Sequence, residues 1–129
     1  MRLWHVDLIK YLPNSQLVAQ WRELNSIYVK GDEHILINYI YDYPREYLRS
    51  YSEVVIEEMK RRNIKIRTMD KFNDYFAGVE LNKELRYKEH DLLYLKICVY
   101  NLYEKYIRGQ KDYPDNLAWS LNGFIRIEP

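Results

Sequence analysis

The chain has 129 residues, 47% of them apolar, with only four glycines and four prolines. That is enough to bury one core and too short for two ordinary ones, and it excludes a disordered or linker-rich chain. Twenty basic residues stand against nineteen acidic ones, so no overall charge points to a polyanion partner and any basic surface must be local.

The opening "MRLWHVDLIKYLPNS" breaks short apolar pieces with charge, so it reads as neither a secretory leader nor a membrane span. The amino terminus is therefore expected to belong to the working protein. Pro13, Asn14 and Ser15 give a helix start, and Leu17, Trp21, Leu24 and Tyr28 follow at spacings of four, three and four. This predicts a first helix ending near Gly31, with Trp21 in the core. Residues 34–43, "HILINYIYDY", are β-branched and aromatic but too short to assign, fitting an extended piece or a packed turn.

Asp42-Tyr43-Pro44 predicts the start of a second helix that buries Leu48, Tyr51, Val55 and Met59 and closes at Lys60-Arg61-Arg62. Those cations suit a helix carboxyl end, and phosphate contact is the other reading. The stretch 64–82, with Gly78, reads as a loop holding one short helical turn. A third long helix is predicted within 83–108, with Leu93, Ile97, Tyr100 and Ile107 as its stripe and Gly109 as its stop. The tail from 110 carries Pro114, Trp119 and Gly123 and gives no clear element. The fold class expected is all-α, one domain over 1–129 with about three main helices and long irregular connections.

Familiar chemical motifs are missing. There is no GxGxxG, GxxxxGK[ST], HExxH or GxSxG. His5, His34 and His90 are far apart in sequence, and no metal site is predicted. Cys98, the one cysteine, excludes a disulfide framework and a paired-cysteine site, and a reducing cytoplasm is the simplest setting. Fourteen tyrosines offer stacking faces with hydrogen-bonding tips, which suit wet interfaces. On the first helix, Gln16, Ala19, Glu23 and Ser26 form a strip beside the buried face. A carboxylate at such a border can do general acid or base work, but most such glutamates are merely capped or paired. Arg22 beside it is as ambiguous.

Four stretches taken in order carry a resemblance: "MR" at the start, "QLVAQWREL" at 16–24, "YIYDYPREYL" at 39–48 and "EEMKRRNIKI" at 57–66. Together they resemble the endonuclease V type of pyrimidine-dimer DNA glycosylase, over roughly the first half of the chain. The Arg22-Glu23 pair is the most specific part. The resemblance implies a compact all-α repair enzyme, a glycosylase and abasic-site lyase that works without metal or cofactor. Its partner would be double-stranded DNA holding a damaged or abasic nucleotide, and a monomer in the cytoplasm is expected.

The nucleophile in that family is the free amino terminus, carried over here to Met1. Glu23 takes the place of the essential glutamate. Arg2 and Arg22 would clamp phosphates, and Lys105 and Arg108 belong to a loosely echoed basic, aromatic tail that includes Tyr103, Tyr106 and Lys111. An α-amine suits such a role, because roughly a tenth of such groups are neutral at pH 7, against less than about a thousandth for an ordinary lysine. This chain departs from the family in keeping methionine before Arg2, in carrying Asn25 and Ser26 where a further arginine is usual, and in its near-neutral charge. The alternative reading is a helical nucleic-acid- or protein-binding module that kept the fold without the chemistry. An enzyme for another lesion is a third.

Overall fold

The computed structural model describes residues 1–110 and Asp112, and every regular element among them is helical. In chain order these are a 3-10 turn Val6–Tyr11, α1 (Asn14–Lys30), a 3-10 turn Asn38–Asp42, α2 (Arg45–Arg61), the short α3 (Asp70–Tyr75) and α4 (Leu92–Ile107). Three helices are long, as expected. The tail positions Pro114, Trp119 and Gly123, and Lys111, lie outside the described residues.

Pro13 sets where α1 begins, since its locked φ of −59° and a ψ of 151° turn the chain into the helix. Gly31 ends it at φ 60°, the left-handed conformation that a side chain resists, and its amide donates to the Ile27 carbonyl at 2.9 Å. Leu17, Trp21, Leu24 and Tyr28 are all buried, joined by Gln20 and Ile27. On α2 the predicted face of Leu48, Tyr51, Val55 and Met59 is likewise buried.

The basic cluster at the end of α2 is structural. Arg61 and Arg62 both donate to Glu58, and Arg62 also reaches the carbonyls of Leu12 at 2.6 Å and Lys10 at 3.0 Å. Burial alone would raise the Glu58 carboxyl, but the two guanidinium groups outweigh it and hold it below the usual carboxylate range. Arg62 thus straps the 10–14 connection to α2.

α1 packs against α2 and α3, while the first 3-10 turn packs against α2 and α4. The amino-terminal segment is therefore a middle layer. Leu3, Leu8, Ile9 and Leu12 are fully buried within it. The undecided piece 34–43 proves to hold a 3-10 turn, and 64–82 contains α3 as its one short helix.

The third long helix lies within the expected 83–108 but buries a different face. It begins at Leu92, capped by the Asp91 carboxylate, which accepts from the Tyr94 amide at 2.9 Å. Its buried residues are Cys98, Val99 and Leu102, and the predicted stripe of Leu93, Ile97, Tyr100 and Ile107 is exposed. The reason is the near-continuous apolar run from Leu92 to Tyr100, which offers an acceptable stripe on more than one face. No described helix is long and apolar enough to cross a membrane.

Candidate active site at the amino terminus

The first five residues form no regular element, so their backbone groups need partners from elsewhere. Three helices supply them. The Trp4 amide donates to Gln20 Oε1 at 2.8 Å, and Gln20 Nε2 donates to the Arg2 carbonyl at 3.2 Å. The Tyr51 hydroxyl lies 2.6 Å from the Trp4 carbonyl and 3.0 Å from Gln20 Oε1, and the Tyr94 hydroxyl donates to the Leu3 carbonyl. α1, α2 and α4 thereby fix the chain's start.

Gln20 does one thing more: its Nε2 also lies 3.3 Å from Glu23 Oε2. A single buried amide therefore holds both the amino-terminal segment and the carboxylate one turn along α1. Gln20→Ala would leave the buried Trp4 amide unpartnered and open space beside it. The expected loss is about 2–4 kcal/mol in urea unfolding.

Met1, Arg2, Trp4, Gln20 and Glu23 line a cavity of about 250 Å³, closed on its other sides by Gln16, Ala19, Leu36, Asn101 and Lys105. Partial burial raises the Glu23 carboxyl above the usual value, against the pull of the amino-terminal charge and of Arg22. The amine's field thus reaches the carboxylate. Of the predicted site residues, Met1, Arg2, Glu23 and Lys105 meet at this cavity. Arg22 does not line it but opens onto a second groove on another face of α1. Arg108 pairs with Glu104 at 3.1 Å, one turn back on α4, and is outside the cavity lining.

His5 and His90, 85 positions apart, stack with ring centroids 5.3 Å apart behind this segment. His5 Nδ1 accepts from the Asp7 amide at 3.1 Å, which leaves Nε2–H to donate to the His90 carbonyl at 2.9 Å. His90 Nδ1 accepts from the Val6 amide at 3.2 Å, and its Nε2 faces the Tyr39 hydroxyl at 2.7 Å. Both rings are thus held neutral, and burial, followed by the repulsion a protonated His5 would exert, pushes His90 down to about 3.

Stability therefore depends on pH with a definite sign. Below the unfolded value of 6.5 the unfolded chain takes up a proton that folded His90 refuses, so stability falls as pH drops from there toward 3. Between pH 6.5 and 4.5 the expected loss is about 2–3 kcal/mol, above the range where most carboxylates titrate. Urea midpoints across that window check it, and His90→Asn should flatten the dependence.

Sequence reasoning missed Gln20, Tyr51 as an anchor, Tyr94 and Asn101. Gln20 and Glu23 do stand three apart on one helix, and Asn101 and Lys105 four apart on another, so same-face spacing was the available signal. Which backbone groups Gln20 serves depends on the tertiary fold.

A family model described as pyrimidine dimer DNA glycosylase matches residues 1–72. The match covers more than half of the chain, and the chain belongs to that family. It takes in Met1, Arg2, Arg22 and Glu23 and stops short of Lys105 and Arg108. No curated protein and no solved structure gave a significant match.

Proposed function

We propose that this protein is a base-excision repair enzyme, a DNA glycosylase with abasic-site lyase activity, acting on pyrimidine dimers in duplex DNA. The observation that carries this is the shared cavity of Met1 and Glu23, held together through Gln20, in a member of the pyrimidine dimer glycosylase family. The Met1 amine attacks C1′ of the damaged nucleotide, the glycosidic bond breaks, and the base leaves. The nitrogen loses its proton as the sugar ring opens, giving an imine between chain and sugar. Loss of a C2′ proton then expels the 3′ phosphate and cuts the strand, and water releases the enzyme.

Glu23 stabilises the cationic sugar and imine and assists proton transfer, a role helped by a carboxyl whose ionisation burial has moved toward neutral pH. Arg2 and Lys105, at the cavity edge, take phosphates beside the reacting sugar, with Arg22 and Arg108 contacting the strand further out. Every step uses groups of the chain, the DNA and water, so the chemistry calls for no metal or cofactor. C1′ of a stacked nucleotide is hard to reach, so the duplex must bend and extrude a nucleotide at the site. The enzyme acts as a monomer.

Borohydride trapping on two duplexes tests this, one carrying an abasic site and one a cyclobutane pyrimidine dimer. Covalent adducts on both are expected. An adduct on the abasic duplex alone would reduce the assignment to a lyase, and none on either would leave a binding module that has the fold without the chemistry.

A further inference from the structure

Among the described residues, five of the nine guanidinium groups are paired with the chain's own carboxylates. Arg49, Arg61, Arg62, Arg86 and Arg108 are all ion-paired, as is Lys83 with Glu57. Several of the other cations gather at one groove. Between α1, the end of α2 and the start of α3 lies a groove of about 570 Å³ edged by Arg22, Lys65, Arg67 and Lys71, and no carboxylate lines it. All four cations are exposed, and none has an ion pair among the described residues. In a protein of formal net charge +1, this is a concentrated positive field.

Its place relative to the catalytic cavity matters. Arg22 and Glu23 are consecutive on α1, so their side chains leave the helix about 100° apart. Glu23 lines the cavity on one flank, and Arg22 lines the groove on the next. The two sites are separated only by the α1 ridge, on the order of 10 Å across. One duplex can span both.

We infer that this groove is a second DNA contact, a track for the phosphodiester backbone of the same duplex whose lesion enters the cavity. It rests on the reading that the substrate is DNA and adds what sets affinity before any lesion is found. Four lysine and arginine side chains around a lining without a carboxylate suit phosphates irrespective of sequence, and they supply locally the attraction that the near-neutral chain lacks overall. Thr68 and Asn25 at the groove edge add neutral hydrogen-bonding groups of the kind that position a backbone. The groove therefore governs capture and the cavity governs chemistry.

The test compares wild-type protein with a Lys65→Ala/Arg67→Ala/Lys71→Ala variant by fluorescence anisotropy on an undamaged duplex over a salt series. Lys30→Ala/Lys60→Ala/Lys88→Ala, exposed lysines outside the groove, serve as the control. Removing three phosphate contacts should reduce the slope of log K against log salt by about 2–3 and weaken binding roughly 10²-fold near 0.1 M salt. The control set should change it far less, and thermal melting should stay the same for both variants. Borohydride trapping of the groove variant on saturating abasic duplex should reach wild-type amplitude. An unchanged slope, or an equal fall in the control, overturns the groove while leaving trapping intact. Loss of slope in a protein that traps nothing would support the groove and refute the catalytic assignment instead.

Discussion

Glu23→Gln should lower strand cleavage and imine formation on an abasic duplex by roughly 10²–10³-fold, the cost typical of removing one preorganised electrostatic group at a charged transition state. Stability should move by no more than about 0.5 kcal/mol, because glutamine keeps the shape and the bond to Gln20 while losing a charge that is partly desolvated. The combination separates chemistry from folding. In wild type the cleavage rate should fall on acidification through a value above the ordinary glutamate range, since burial raises this carboxyl and the cation-stabilising form is the ionised one. Stopped-flow or quench measurements from pH 4.5 to 8, on wild type and Glu23→Gln, check both the size and the limb.

Adding two residues ahead of Met1 should have the larger effect, reducing trapping to background. An extended chain still has an α-amine of the same intrinsic reactivity, but Arg2 and Trp4 are pinned by Gln20, Tyr51 and Tyr94, so the register cannot slide to bring the new amine back. The amine would be carried out of a cavity of only about 250 Å³. Circular dichroism and melting should match wild type. Trapping that survived the extension would mean that another nitrogen forms the imine.

Gln20 links these two expectations. It is the side chain through which the position of the chain's start and that of Glu23 become one geometric fact. Arg22, one residue from Glu23, lines a separate groove on another face of the same helix. The contrast explains why the pair reads so ambiguously in sequence. Adjacency on a helix separates side chains, and what a residue shares a site with is set at spacings of three and four.

That rule also bounds what the sequence made legible. Where one face alone was apolar, as with Leu17, Trp21, Leu24 and Tyr28 or with Leu48, Tyr51, Val55 and Met59, periodicity identified the buried residues correctly. In α4 the run from Leu92 to Tyr100 is apolar nearly all round, and the choice of face was made by the amino-terminal segment that docks there, which no local pattern records. The same long-range docking brought His90 and Tyr94 against residues 3–6 and placed Lys105 at the cavity that Met1 lines. Glu23 and Met1 are proposed from the resemblance, whereas Gln20, Tyr51 and Tyr94 act on backbone groups and leave no motif behind.

The most direct measurement is the location of the covalent bond. Protein trapped with borohydride on an abasic duplex, digested with nuclease and protease and sequenced by mass spectrometry, should carry the reduced sugar remnant on the α-nitrogen of Met1. A remnant on a lysine, such as Lys105 at the cavity edge, would contradict the amino-terminal mechanism.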